Sequence, residues 1–443
     1  MIRLPKVTEV RARLLKSAGW LLARQVITIF NSLVLGIVLA RHLGPENFGV
    51  LNYAISLVVM VMPLTTLGMR NLALREYATR PEDAERILGT ITAMRFGGTL
   101  AALAVIYVIS TRFPIEHDNI ALLCMLLGVA LLFQIFDTIK EQFIALENPR
   151  IFVIVEVSVL AFFSLLKLGL VLLGAPVDLF ILAAAGEIVA QGLATGVAYY
   201  LRAGQPPRLR VDCALMRGYA GSALPLVLGH ISAVIYLKVD VVFVANMVGN
   251  AATGHYTVAT RLSEAWYILP STLVMAAFPR MVALRRDAPD QYARRMQEAM
   301  DAFAAFGTFV ALTSVFWASP LIVLLFGREY QPATALLQIQ VWVGVVFATR
   351  QLIHKHLLAE GLFWTLALVN LTGAVTNVGL NFLLIPRMGA EGAAWATLIS
   401  YTVAPFLLAP VLPSLRPVAA MQLRAILWPR RVVTLLRRTL PSR

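Results

Sequence analysis

Long apolar runs separated by short polar breaks dominate this chain, and most of the runs approach the roughly 20 residues that a helix needs to cross the hydrocarbon core of a bilayer. Dividing the sequence by that length and by its polar breaks predicts twelve spans, at 17–40, 48–69, 87–110, 119–136, 151–173, 178–201, 218–245, 256–278, 302–326, 333–349, 362–385 and 392–412. Two of the breaks echo one another: Arg41-His42-Leu43-Gly44-Pro45-Glu46-Asn47-Phe48-Gly49 and Met247-Val248-Gly249-Asn250-Ala251-Ala252-Thr253-Gly254-His255-Tyr256. Gly44, Gly49 and Ala54 fall on Gly249, Gly254 and Ala259 at a constant offset of 205 residues. A weaker echo, 168–170 against 378–380, comes at an offset of 210. The pattern predicts two copies of one six-span unit.

Lysine and arginine test that division, because basic residues of short loops stay on the cytoplasmic side. With the N-terminus inside, the inside segments hold 29 of the 38 Lys and Arg, the outside loops hold 4, and 5 lie within spans. A missed span would have scrambled this contrast. Both ends are therefore expected to face the cytoplasm, and two units that start on the same side are parallel repeats, with substrate expected between them. The expected organisation is a cytoplasmic segment 1–16, an N-terminal lobe 17–201, a cytoplasmic linker 202–217, a C-terminal lobe 218–412 and a basic tail 413–443. The fold class is all-α, polytopic, with about twelve transmembrane helices around a central cavity.

Composition agrees: 59% hydrophobic and 14% charged residues leave too little polar surface to cover a soluble domain. The net charge of +14 argues no nucleic-acid partner, since the basic residues alternate with apolar runs instead of forming one patch. The first apolar run is too long for a signal-peptide core and reads as a retained span. The inside loops 70–86 and 279–300 are long enough for short surface helices. The tail from Arg416 carries seven arginines among Leu, Val, Ile and Trp428, as suits a helix lying on anionic lipid. Cys124 and Cys213 form no metal or disulfide pattern, and no phosphate-binding glycine loop or nucleophile elbow occurs, so neither a metal nor a cofactor is expected.

Nine Asp, Glu, Lys and Arg residues fall in the interior of the predicted spans: Arg24, Arg95, Glu156, Lys167, Glu187, Lys238, Asp240, Arg261 and Glu264. Each costs about 2.5–3.5 kcal/mol at a span centre, so each is expected to face protein or a wet cavity. Lys167 with Glu187, and Arg261 with Glu264, are candidate packing pairs, whereas Lys238 and Asp240, two apart, point in different directions. Polar stripes at helical spacing mark span 1 (Arg24, Thr28, Asn31), span 2 (Asn52, Ser56, Thr66), span 7 (Ser232, Tyr236, Asp240) and span 8 (Thr260, Glu264, Tyr267, Ser271). Under the repeat these four spans correspond in pairs, and their stripes are expected to line one cavity. Pro63, Pro225 and Pro270 interrupt three of the four and favour kinks. Asn370, Asn377 and Asn381 of span 11 read as interhelical hydrogen-bonding groups.

The twelve spans, the six-plus-six repeat and the run Arg41-x-Leu-Gly-Pro-x-x-Phe-Gly resemble the polysaccharide-biosynthesis, or Wzx-type, oligosaccharide flippases, which share a superfamily with lipid II flippases and multidrug and toxin extrusion (MATE) transporters. Gly254-His-Tyr-Thr-Val-Ala-Thr-Arg-Leu and Ile385-Pro-Arg-Met-Gly-Ala-Glu-Gly-Ala-Ala add to the likeness. The resemblance implies transport of an undecaprenyl-diphosphate-linked oligosaccharide across a bacterial inner membrane, with membrane lipids, a polysaccharide polymerase and glycosyltransferases as candidate partners. An anionic head group needs cations in a low-dielectric cavity. Arg24 and Arg261 are the first candidates for the diphosphate, with Lys238 and Arg95 next. Tyr236, Tyr267, Asn31 and Asn52 are candidate sugar contacts, and Asp240 and Glu264 candidate sites for a coupling proton or sodium ion. The rival readings are a cation-coupled multidrug antiporter and a membrane glycosyltransferase or polymerase.

Overall fold

In a computed structural model that describes residues 7–145, 150–204 and 208–427, every regular element is helical. That is the outcome lipid demands, since a helix satisfies each backbone N–H and C=O within its own segment. The chain divides into two compact units, Met1–Ile231 and Ser232–Arg443. The first contains α1 (Val7–Thr66), α2 (Arg70–Thr79), α3 (Ala84–Arg112), α4 (Ile120–Ala130), α5 (Asp137–Ala145), α6 (Arg150–Leu172) and α7 (Val177–Ala203). Helix α8 (Cys213–Met247) carries the boundary between the units. The second unit continues with α9 (Asn250–Trp266), α10 (Ile268–Asp287), α11 (Pro289–Phe326), α12 (Ala333–Ala359), α13 (Phe363–Met388), α14 (Ala390–Leu408) and α15 (Arg416–Ile426).

Ten helical stretches among the described residues are long and apolar enough to cross a membrane. The first of them, Leu22–Thr66, contains two predicted spans, and the last predicted span is the 19-residue α14, which is not among the ten. Each of the twelve predicted spans thus lies on helix. Large apolar side chains such as Phe30, Phe162, Leu165, Phe316 and Leu324 are exposed, as lipid-facing groups should be. The chain is a multi-pass membrane protein.

A straight helix of the 60 residues of α1 would run about 90 Å, three times the hydrocarbon thickness. It breaks at Gly44, with φ 68° and ψ 174°, and Pro45 restarts it without needing a backbone donor. Gly249, the repeat partner of Gly44, has φ 120° and ψ 173° between α8 and α9. Both glycines occupy a region that residues with a Cβ essentially never adopt. The echo continues into the packing. Phe48, Tyr53 and Ala54 are fully enclosed in the first unit, and their counterparts Thr253, Val258 and Ala259 are fully enclosed in the second.

Predicted span 8 is two helices. Pro270 cannot donate to the carbonyl of Trp266, and α9 gives way to α10 at Tyr267. Pro63 lies in the last turn of α1, and the side chain of Pro225 is outside the described residues. The expected surface helices of 279–300 are instead extensions: α10 runs on to Asp287 and α11 begins at Pro289. Loop 70–86 does hold a short helix, α2. Of the basic tail, α15 is described, while the arginines from 430 onward and Trp428 lie outside the described residues. In the second unit α12 is the central helix, with Leu337, Val341, Leu352 and Leu357 buried and neighbours on several sides.

Helix α8 starts on Asp212, whose Oδ1 accepts from the backbone N–H of Ala214 at 2.8 Å and of Leu215 at 3.2 Å, while Arg86 lies 3.1 Å from its Oδ2. The backbone donors of Leu215 and Ala214, with the Arg86 charge adding to them, hold this carboxyl below the usual aspartate range.

Replacing Gly44 or Gly249 by alanine is expected to cost about 1–3 kcal/mol through backbone strain alone, read as a lower midpoint in thermal unfolding of the detergent-solubilised protein. Because the folded-state acidity of Asp212 is depressed, its cap is in place above the ordinary aspartate range and is lost as pH falls through the lowered value. At neutral pH, Asp212→Ala should speed hydrogen exchange at the amides of 214 and 215, whereas Asp212→Asn, which keeps an acceptor, should protect them better.

Candidate functional site

Helices α1, α5, α6 and α7 of the first unit bring six charged side chains together. Glu156 on α6 bridges two cations: its Oε2 accepts from Arg24 Nη1 on α1 at 3.1 Å, and its Oε1 from Lys140 Nζ on α5 at 2.7 Å. Lys140 also lies 3.2 Å from Asp137, one turn earlier on the same helix. About three turns further along α6, on the same face, Lys167 donates to Glu187 Oε2 of α7 at 2.6 Å. The Lys140–Glu156 and Lys167–Glu187 pairs, with Asp137, wall a cavity of about 450 Å³ that Gln134 and Gln191 also line, and Arg24, Glu156 and Gln191 border a second opening of about 150 Å³. Glu156 and Lys140 are only 15% and 16% exposed, so their attraction acts in a medium well below the dielectric of water. Arg24 Nε is buried without a hydrogen-bond partner.

The bottom of this arrangement depends on close helix contact. A side chain at Gly192 of α7 would collide with the carbonyl of Phe133, in the 3₁₀ stretch between α4 and α5, so glycine lets the two segments approach. That approach carries Asp137 and Lys140 to the cavity wall. Nearby, Arg95 of α3 is sealed at 2% exposure, giving Glu141 of α5 two hydrogen bonds of 2.8 and 2.9 Å and Thr138 one of 3.0 Å. Arg95, expected as a further head-group cation, is not among the groups lining the cavity and instead fastens α3 to α5.

In the second unit Asp240 of α8 is buried among neutral donors. Tyr256 donates to it at 2.8 Å and Asn381 at 2.6 Å, and Thr397 donates a very short bond. Asn377 adjoins them, its Oδ1 accepting from Asn381 at 3.1 Å. Lys238 stands 3.6 Å from Glu264 of α9, both about one-third exposed. Glu264, whose spacing suggested a pairing with Arg261, thus has a cation of another helix, Lys238, at ion-pair distance. Tyr267 stacks on Phe347 at 4.4 Å and shares a 3.0 Å hydrogen bond with Ser263. Tyr236 stacks on Tyr401 at 4.2 Å, and the Arg350 guanidinium lies 4.8 and 4.9 Å from those two ring centres while donating to Asn370 at 2.9 Å.

Among the remaining expected residues, Asn31 accepts from Ser164 of α6 at 2.9 Å, and Asn52 is buried and donates to the carbonyl of Phe48 at 2.7 Å. Lys167 and Glu187 do pair directly. Charged residues placed in loops or beyond span ends also lie on the membrane-length helical stretches, among them Asp137, Lys140, Glu141 and Arg350. Span 4 was ended at its first charge, Asp137. The Asp137/Lys140 spacing of three and the alternation with Ile139, Phe143 and Ile144 were the signal for another two turns of helix.

An all-helical, multi-pass chain with a charged cavity inside one bundle has the architecture of a transporter. Its fold is similar to that of the lipid II flippase MurJ in an inward closed conformation, with a TM-score of 0.68 at 10% identity over 97% of this chain and 94% of that one. It is also similar to an inward-facing multidrug resistance MATE family transporter of the MOP superfamily, with a TM-score of 0.60 at 13% identity over 93% of this chain and 96% of that one. Residues 14–285 match the polysaccharide biosynthesis protein family, and the chain belongs to that family. A probable flippase, AglR of Haloferax volcanii, is 27% identical over 193 residues, or 42% of this chain, and the match spans 40% of that relative's length. These relatives are flippases and transporters, not enzymes.

Because Arg95 and Glu141 are both sealed, removing one charge leaves the other unpaired in a dry bundle. Arg95→Met or Glu141→Leu alone should destabilise by about 3–5 kcal/mol, while the double replacement should recover most of the loss. Thermal unfolding of the four proteins in one detergent checks the cycle.

Proposed function

We propose that the protein is a flippase that carries an undecaprenyl-diphosphate-linked oligosaccharide from the cytoplasmic to the periplasmic leaflet of a bacterial inner membrane by alternating access, for O-antigen, capsule or exopolysaccharide assembly. The observation that supports this most is the cation pair Arg24 and Lys140 on one carboxylate, Glu156, inside a membrane bundle, with Lys140 lining a cavity of about 450 Å³ and Arg24 an opening of about 150 Å³ that shares Glu156 with it. A diphosphate is recognised by such groups through charge-assisted hydrogen bonds, and the lipid tail needs no enclosed site because the bilayer solvates it. Family membership and the flippase named among the relatives point the same way.

In this reading Arg24 is the first head-group ligand and Lys140 joins it. Arg261 and Lys238 are the corresponding cations of the second unit, with Asn31, Asn52, Tyr236 and Tyr267 as candidate sugar contacts. Asp240 and Glu264 are the candidate coupling sites for a proton or sodium ion, and a polymerase and glycosyltransferases are the expected partners. The second reading, a cation-coupled multidrug antiporter, draws on the three carboxylates Asp137, Glu156 and Glu187 that line the same cavity.

The test measures the leaflet of undecaprenyl-linked oligosaccharides by their access to an external glycosidase. Depletion of the protein should trap them on the cytoplasmic side. Arg24→Ala and Lys140→Ala, each removing one charge-assisted contact, should lower outward exposure about tenfold or more with membrane levels unchanged. Normal exposure in the depleted cells, together with lost drug efflux, would move the assignment to the antiporter.

A further inference from the structure

Glu156 uses both carboxylate oxygens on the two cations that the proposed function gives to the substrate, at 3.1 Å to Arg24 and 2.7 Å to Lys140. It therefore stands where the oxygens of a bound phosphate would stand. The surrounding cluster is balanced. Arg24, Lys140 and Lys167 face Asp137, Glu156 and Glu187, all on α1, α5, α6 and α7, and Arg70 at the start of α2 borders a narrow crevice shared with Arg24, Lys140 and Glu156. A neutral cluster offers a multiply charged anion little net attraction unless one of its own anions withdraws. Of the three carboxylates, Glu156 alone touches both Arg24 and Lys140. Space and a spare donor are present: Glu156 borders the cavities of about 450 and 150 Å³, and the buried Nε of Arg24 has no partner.

Resting on the flippase reading, we propose that Glu156 is the resident counterion of the anion site: the diphosphate head group displaces it from Arg24 and Lys140, and the freed carboxylate takes up one proton, delivered as hydronium from the buffered aqueous phase through the cavity. The step balances in charge and atoms. Two ion contacts to Glu156 are exchanged for two to phosphate oxygens, and the proton adds to a Glu156 oxygen, forming an O–H bond. The proton is taken up because the carboxylate has lost both cations and gained a like charge as neighbour. When the lipid leaves, Glu156 returns to Arg24 and Lys140 and gives the proton back, so the empty site is neutral and the loaded site carries a lipid and a proton together. Loading and protonation thereby become one event, coupled at a residue different from Asp240 or Glu264.

The test is calorimetric titration of the purified full-length protein in nanodiscs with farnesyl diphosphate, a short-chain prenyl probe that carries a diphosphate, in two buffers of different ionisation heat. The difference in proton uptake between wild type and Glu156→Gln cancels any proton exchanged by the probe. Wild type should take up about one more proton per bound probe than Glu156→Gln, and the variant, lacking the competitor, should bind at least about fivefold tighter. Glu156→Asp, which restores a carboxylate on a shorter stem, should recover the proton uptake. Equal proton counts in wild type and Glu156→Gln, or weaker binding by Glu156→Gln, would overturn the counterion role while leaving the anion site intact. Failure of both folded proteins to bind the probe, or undiminished binding by Arg24→Ala, would overturn the site itself.

Discussion

A charge carried into a bundle within the hydrocarbon has to find its opposite inside that bundle, because neither lipid nor distant water will solvate it. The protein meets this constraint in three ways. Arg95 and Glu141 are sealed together at 2% and 4% side-chain exposure, a fastening with no room for exchange. Asp240 is surrounded by hydroxyl and amide donors from α9, α13 and α14, so hydrogen bonds substitute for a cation. Arg24 and Lys140 share the carboxylate of Glu156 beside open volume. Only the third arrangement can trade one anion for another at modest cost.

The backbone obeys a parallel rule. Lipid requires helices, and the thickness of the bilayer requires that they turn back, so the joints carry the strain. Gly44 and Gly249 supply the same extended, positive-φ corner in each unit, 205 residues apart, and fully enclosed side chains follow each corner at matching positions. The repeat is thus a repeat of backbone geometry and of packing. Gly192 serves a different need, allowing α7 to come against the 3₁₀ stretch after α4, and so brings Asp137 and Lys140 into the bundle.

Function grows from where these two rules meet. In the proposed function, an anionic cargo needs a polar site that can be loaded and emptied without leaving bare charge in the membrane. As proposed, a carboxylate held by two cations provides that, since loading exchanges one counterion for another. In the second unit the Arg350 guanidinium lies instead against the stacked pair Tyr236 and Tyr401 and donates to an asparagine.

The linear sequence by itself determined the helical class, the number of apolar segments and the two-copy organisation. Apolar run length, loop charge and glycine spacing are local properties that lipid reads directly. It also marked most of the intramembrane charges, including Arg24, Glu156 and the Lys167–Glu187 pair. Only the tertiary structure decided what those charges do. It closed Arg95 into a sealed pair, carried Lys140 and Asp137 from an expected loop to the cavity wall, and gave Arg24 and Lys140 a shared carboxylate. Partners 46 residues apart, as Arg95 and Glu141 are, or 132 apart, as Arg24 and Glu156 are, are chosen by helix rotation and close packing. Those depend on every neighbouring side chain at once, and no periodicity within a single helix records them.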